Sequence, residues 1–233
     1  LKDKKLVEFH QESDETKFNV GDIYVGKVKK INKSLNAAFI DIGFEKDAFL
    51  HYLDLGPQFL SLKSFVKNVR GKGKVSYDSS KKLDDINKFG KINEVLTKGD
   101  EILIQVVKEP ISTKGPRVTT ELSLAGRYLI LVSFSDTINV SKKITKREER
   151  MRLINLIKSI RPKNFGVIVR TVAENKSVSE LDKDLQSLTS IWKEGVKKIK
   201  KAKVGEKIIG EENKATSLPV SYTHLTLPTK SRG

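Results

Sequence analysis

Along the first half of the chain apolar and polar residues alternate with a period of two. In the second half the period lengthens to that of a helix. The run VGDIYVGKVKKINKSLNAAFIDIGFEKDAFLHYLDL, from Val20 to Leu55, is punctuated by Gly21, by Lys33-Ser34 and by Gly43. It predicts strands over residues 23–32, 36–42 and 47–51. Two more are predicted at 101–109 (EILIQVVKE) and 117–124 (RVTTELSL). Five short strands with glycine punctuation predict a small closed barrel. Alternation then assigns faces. Ala38, Ile40 and Ile42 share one side of the second strand, and Ala48 and Leu50 one side of the third. These apolar sets belong inside. Phe39 and Phe49 then project outward, beside Asp41, Asp47 and His51.

The later half predicts a second unit. LSLAGRYLILV (residues 122–132) reads as a strand-like apolar run, followed by the basic loop SKKITK (141–146). Thr145 and Glu148 have capping-box spacing at the head of a helix, whose apolar face holds Met151, Leu153, Ile154, Leu156, Ile157 and Ile160 before Pro162 stops it. FGVIVRTV (165–172) reads as a buried strand ending in Arg170-Thr171. Ser177 and Glu180 form a second capping box. The long helix after it carries Leu181, Leu185, Leu188, Trp192, Val196 and Ile199 on one stripe, which makes Trp192 a core residue. Its lysine-rich end, KKIKKAK (197–203), suits the negative helix terminus.

Charge sharpens this picture. Lys and Arg total 45 against 29 Asp and Glu, a formal net charge of +16, which points to an anionic polymer as partner. Outward aromatics on neighbouring strands of a basic barrel make a stacking platform for unpaired bases. With no cysteine and three scattered histidines, disulfides and zinc-ligand spacing are excluded. No apolar run approaches the roughly 18 residues that would span a bilayer. Asp41 and Asp47 form a pair without supporting ligands, so no metal site is assigned. The segment between strands three and four (56–98) carries ten Lys/Arg against four Asp/Glu from Pro57 to Lys98. It includes RGKGK (70–74) and SSKKLDD (79–85), and is expected to be a largely disordered basic insertion.

These residues carry a resemblance. GDIYVGKV, NAAFIDIG and KDAFLH, with the Lys114-Gly115 turn of STKGPR, resemble the S1 RNA-binding barrel of the ribonuclease E/G family of bacterial endoribonucleases. TTELSLAGRYL resembles the join between S1 barrel and 5′-sensor in that family, and GVIVRT its sensor motif. The resemblance implies an α+β fold: a five-stranded OB-fold (S1) barrel over 18–120 and an α/β 5′-sensor region over 121–203. It also implies an RNase H-like remnant over 1–17 and a tail over 204–217 leading to a catalytic domain. It implies that Phe39, Phe49 and Lys114 bind RNA. Arg170 and Thr171, with the backbone at Ile130, would hold the 5′-monophosphate. The insertion leans toward the ribonuclease G branch.

Family members cut single-stranded RNA in rRNA maturation and mRNA decay, using Mg²⁺ on a DNase I-like domain and Zn²⁺ in a cysteine-containing linker. Neither ligand set stands in this sequence, so the chain alone is expected to bind RNA without cutting it. It is expected to be cytoplasmic and monomeric, to prefer 5′-monophosphorylated RNA, and to oligomerise only through the C-terminal parts. The competing reading is a non-catalytic S1 protein of the translation or transcription machinery. Both ends read as artificial. The chain starts at Leu1 and its only methionine is Met151. LPVSYTHLTLPTKSRG (218–233) resembles translated sequencing adapter, so Tyr222 and His224 are given no role and the natural chain is expected to continue beyond Ser217.

Overall fold

The computed structural model describes residues 18–71, 77 and 80–210. The proposed RNase H-like remnant, Lys72 and Lys74 of RGKGK, Ser79, and everything from 211 onward lie outside the described residues.

The barrel forms from β1 (Ile23–Asn32), β2 (Ala37–Asp41), β3 (Ala48–His51), β4 (Glu101–Lys108) and β5 (Arg117–Thr119). The strand order is β1-β2-β3-β5-β4, and an antiparallel β1–β4 pairing closes it. Only β3–β5 is parallel. The expected inward set is fully enclosed: Ala38, Ile40, Ile42, Ala48 and Leu50 pack with Val28, Ile102, Ile104, Val106 and Val118. The chain leaves the barrel after β5. Thr119 and Thr120 donate their hydroxyls to the carbonyls of Asp54 (2.6 Å) and Leu55 (2.5 Å). The predicted fifth strand is therefore broken, and residues from Ser123 onward belong to another sheet.

That second sheet contains β6 (Ser123–Ala125), β7 (Leu129–Ser133), β8 (Ile138–Val140) and β9 (Phe165–Val169), in the order β6-β7-β9-β8. The single apolar run read from 122 to 132 is thus a hairpin, turned at Gly126. Four α-helices are described: α1 (Phe59–Arg70), the one-turn α2 (Ile92–Val95), α3 (Arg147–Ile160) and α4 (Val178–Ile199). The Ser177–Glu180 capping box forms, with the Ser177 hydroxyl accepting from the Glu180 amide. The stripe of α4 is buried as expected, including Trp192 at 3% exposure, except that Val196 is only partly covered.

Four expectations need correction. The 56–98 segment is not largely disordered over its described residues. In α1, Phe59, Leu62, Phe65, Val66 and Val69 are all buried. Their spacing of three and four places them on one face, which the charge count of the segment obscured. The tail after α4 does not simply lead away: β10 (Lys207–Ile209) pairs antiparallel with β1 as a sixth strand. The Thr145 capping box does not form. Helix α3 starts with Lys146 as N-cap and no side-chain cap bond. Arg150 fixes the preceding loop instead, donating to the carbonyls of Ser141 (2.8 Å), Ile144 (3.1 Å) and Val140 (3.3 Å). Finally, Met151 is 50% exposed and does not belong to the buried face of α3.

The barrel and the second sheet share a core. Ile23, Val25 and Leu103 from the barrel's outer side pack in one cluster with Phe65, Leu131, Phe165, Leu185, Trp192, Ile208 and Ile209. Polar clamps seal the join. The buried Gln105 amide donates to Gly21 O (2.9 Å) and Ser123 O (2.8 Å), and its oxygen accepts from Ser123 N (2.9 Å). Arg70, at the end of α1, donates to Glu101 (2.6 Å) and to the carbonyls of Ile199 (2.9 Å) and Ala202 (2.8 Å). Glu149 of α3 receives both Arg152 donors (2.7 and 2.8 Å) and the Asn175 amide (2.9 Å), which ties α3 to the turn after β9. Among the described residues no helix is long and apolar enough to cross a membrane.

Two stability predictions follow from this packing. Phe65→Ala should cost about 3–5 kcal/mol in urea unfolding, as for other buried aromatics. An unchanged midpoint would mean that α1 is not part of the core. The hydrogen bonds from Arg152, offset in part by burial and aided by the Asn175 amide, hold the Glu149 carboxyl at about 2, against its ordinary 4.5. A depressed carboxylate stabilises the fold fully above its unfolded value, and the gain fades as pH falls through the folded one. Glu149→Gln should therefore cost about 1.5–3 kcal/mol at pH 7. The difference from wild type should shrink between about pH 4.5 and 2. A gap that stays constant across that window would contradict the assignment.

Candidate nucleic-acid interface and anion site

The first candidate surface lies on β2 and β3. In the ladder Phe39 stands directly opposite Phe49, and Ala37 opposite His51. The two phenyl rings have centroids 5.9 Å apart at an interplanar angle of 69°. Both rings are partly exposed. The outward phase expected from alternation is the one seen. Ala37 departs from it: it shares their phase but is fully covered.

Across β1–β2, Lys30 pairs with Phe39, which adds an exposed ammonium to the aromatic row. Sequence reading missed this lysine, because a register shift between Val28 and Lys30 displaces it from simple alternation. Lys114 is exposed at the closing end of a tight turn over Ser112 and Thr113, in which Ile111 and Lys114 exchange backbone bonds (3.0 and 2.7 Å). The turn is seated against the start of β3: a Cβ on Gly115 would lie 2.1 Å from the Asp47 carbonyl oxygen. Phe49 N in turn donates to Pro116 O (2.8 Å). The structure thus brings the Lys114 loop to the strand that carries Phe49.

The acidic groups on this side are engaged. Asp47 pairs with Lys29 (2.9 Å), and Asp41 accepts from Gly43 N (2.9 Å). Arg117 forms a two-bond pair with Asp54, at 3.0 Å each. Among the described residues no group of three or more His, Asp or Glu side chains could hold a metal ion.

The second candidate site lies at the end of β9. Arg170 follows the last residue of the strand, and its amide donates to Tyr128 O (2.9 Å). One guanidinium nitrogen, Nη1, donates to the carbonyls of Gly126 (2.6 Å) and Arg127 (3.3 Å). Nε and Nη2 donate to no protein atom among the described residues, and the side chain is exposed. The β6–β7 turn that supplies these carbonyls is itself held from α4. Asp184 accepts from the amides of Arg127 (3.1 Å), Tyr128 (2.8 Å) and Leu129 (2.9 Å). Gly126 is required there, since a Cβ would sit 2.7 Å from both Asp184 oxygens.

Thr171 opens the turn that follows. Its hydroxyl lies 2.8 Å from the Ser141 hydroxyl, and Ser141 N donates to Val169 O (2.9 Å). The Ser141 loop, with exposed Lys142 and Lys143, is the one held by Arg150. Ile130 stands opposite Ile168 and Ala125, on the face of the sheet away from the core. Arg170, Thr171 and Ile130 are thus gathered at one end of this sheet. Ser141 and Arg150 were missed as supporting residues. Sequence reading saw only a basic loop, and the contact crosses from β8 to β9, which no local pattern reveals.

A model of the Ribonuclease E/G family matches residues 123–224, which covers the second sheet and its helices and reaches past Ser217. Ribonuclease E of Synechocystis is 37% identical over 174 residues, 74% of this chain and 22% of that protein. Ribonuclease G of Haemophilus influenzae is 34% identical over 206 residues, 88% of this chain and 38% of that protein. Ribonuclease G of Escherichia coli K12 is 31% identical over the same length, 88% of this chain and 39% of that protein. The chain therefore spans about two fifths of the ribonuclease G relatives or less than a quarter of the ribonuclease E relative. Sequence identity along most of its length, with the barrel and second sheet in the expected order, establishes that the chain belongs to the ribonuclease E/G family.

Proposed function

We propose that this chain is the RNA-engaging part of an endoribonuclease that takes single-stranded RNA and discriminates its 5′ end. The Phe39–Phe49 pair supplies ring faces for unpaired bases, at about 1–3 kcal/mol per stacked base. Lys30 and Lys114 supply charge for the backbone. Arg170 and Thr171 receive a 5′-monophosphate beside Ile130. Cleavage itself, in rRNA maturation and mRNA decay, belongs to Mg²⁺-dependent chemistry outside the described residues, where a metal activates water and stabilises the leaving oxygen. Cytoplasmic location, the zinc linker and oligomerisation through other parts of the protein belong to the same reading.

One observation carries the 5′-end assignment. The Arg170 guanidinium is fixed through a single nitrogen, so its remaining edge is presented to solvent in a set orientation, with the Thr171 hydroxyl on the next residue. A planar edge of two parallel N–H donors is the geometry that binds a phosphate.

The test compares matched single-stranded RNAs carrying a 5′-monophosphate or a 5′-hydroxyl, by fluorescence anisotropy with the whole chain. The monophosphate should bind about 10- to 100-fold more tightly, as one or two charge-assisted bonds would give. Arg170→Ala should abolish the preference and spare the affinity for 5′-hydroxyl RNA. Phe39→Ala and Phe49→Ala should weaken both RNAs. If about five phosphates are neutralised, the log–log salt slope should lie near about −3.5. Equal binding of the two ends by the unaltered chain would favour a general S1-type RNA binder over a sensor of 5′ ends.

A further inference from the structure

The most exposed large apolar side chain among the described residues is Phe89, at 89%. It sits in the sequence NKFGK, residues 87–91, between Lys88 and Lys91, both exposed. The turn that carries it is built rather than slack. Phe89 N donates to Asn87 Oδ1 (2.9 Å), and Gly90 N to Asn87 O (3.0 Å). The barrel grips the turn from two sides. Tyr52, buried at 3% exposure, donates its hydroxyl to Asn87 O (2.5 Å). Asn36 donates its amide to Gly90 O (3.1 Å) and accepts from Ile92 N (2.7 Å). A Cβ on Gly90 would lie 2.1 Å from the Tyr52 hydroxyl, so only glycine permits so close an approach. The backbone is bound down on both sides of Phe89, and the ring between is left in water.

The two gripping residues locate this turn. Asn36 and Tyr52 are the next residues along the β2–β3 ladder after the Ala37–His51 pair, which itself follows Phe39–Phe49, and Tyr52 N donates to Asn36 O (2.8 Å). At about 3.3 Å of rise per residue, the grip lies about 10 Å beyond the Phe39–Phe49 pair. Exposed Leu35 and Leu53, at 52% and 62%, flank this end, and Lys33 is exposed in the β1–β2 turn. The result is an aromatic ring between cationic side chains, carried on a turn seated just beyond the end of the ladder that bears the aromatic pair. Asp84 and Asp85 are the nearest acids before the turn. After it Glu94 is engaged, accepting from Lys91 N (3.2 Å).

We propose that Phe89 is a further base-stacking residue, and that Lys88 and Lys91 take the adjoining phosphates of a single strand leaving the Phe39–Phe49 pair. The occupant is single-stranded RNA rather than a protein. Exposed Lys33, Lys88 and Lys91 surround an end with few exposed apolar side chains, Leu35, Leu53 and the ring itself, and alternating stacking faces and cations match a strand of alternating bases and phosphates. The segment 56–98, which looks like a charged insertion by composition, thereby lengthens the RNA track of the barrel.

The inference rests on the Phe39–Phe49 face being the RNA platform, and the experiment separates the two. Oligouridylates of about 4 and about 16 nucleotides, the limits of an OB-barrel site, are titrated against the whole chain and three variants. Phe89→Ala should weaken the long RNA roughly 5- to 150-fold and leave the short one unchanged. Phe39→Ala should weaken both. Phe89→Trp should restore the long-RNA affinity, which a lost structural contact would not allow. Unchanged long-RNA binding by Phe89→Ala, with Phe39→Ala impaired, would overturn the role of Phe89 and leave the platform standing. If neither variant lost affinity, both readings would fall. Thermal melts of the variants should match the wild type, since the ring makes no core contact.

Discussion

The barrel of this protein cannot stand with only its inside buried. Ile23, Val25 and Leu103 point away from the barrel interior, and all three are closed off from water. An apolar patch of that kind on a closed barrel has to be covered, at about 25 cal/mol for each Å² removed from solvent. The cover comes from three places in the sequence: α1 from the long segment after β3, the stripe of α4, and β10 from beyond it. Each is needed for the others. Gly195 of α4 lies so near β10 that a Cβ would meet Ile209 side-chain atoms at 2.6 Å. Arg70 of α1 satisfies the carbonyls at the end of α4, where helix geometry leaves them without partners. The two sheets are therefore not beads on a string but two faces of one apolar cluster.

This shared core explains how the proposed anion site is held still. The Arg170 guanidinium leans on two carbonyls, those carbonyls belong to a tight hairpin turn, and the turn is fixed by Asp184 on α4. The position of α4 is set by its stripe of Leu185, Leu188 and Trp192 in the common cluster. On the other side, Thr171 meets Ser141, whose loop is held by Arg150, while the turn after Thr171 is held by Glu149. The exposed donors are thus the outer layer of a network whose inner layer is buried packing. A small shift of α4 would be transmitted through Asp184 to the carbonyls that orient the guanidinium.

What the sequence disclosed, and what it withheld, follows from the range of the interactions. Alternation along β2 and β3 is a local signal, and it placed Phe39 and Phe49 correctly because both strands have one enclosed face. The Ser177–Glu180 box and the α4 stripe are also local, and both are seen. The hairpin inside LSLAGRYLILV was hidden, since Gly126 and Arg127 interrupt an otherwise apolar run and the Asp184 that stabilises the turn lies more than fifty residues away. Helix α1 was hidden by composition: Lys63, Lys67 and Arg70 lie on the same short helix as its buried face and mask it. The short β10 has no pattern of its own and becomes a strand only because β1 offers an edge. Arg170 and Thr171 could be singled out through resemblance, but by spacing alone an Arg-Thr pair at a strand end is common. Their partners across the sheet are what support the proposed site.

The identity of residue 170 as arginine follows from the division of labour within one side chain. Nη1 is consumed by the carbonyls of Gly126 and Arg127. In a lysine the same carbonyls would engage the whole ammonium, a single point of charge, and draw it toward the turn. A guanidinium spreads its charge over a rigid plane, so that one nitrogen can be anchored while Nε and Nη2 keep their direction and their donors. The anchoring would also limit the entropy lost on binding the proposed 5′-phosphate, because part of the side chain is already ordered before binding. The two candidate surfaces therefore solve recognition in different ways. In the proposed reading the barrel offers partly exposed rings suited to stacking on any base, while the end of β9 offers oriented donors suited to an oxyanion.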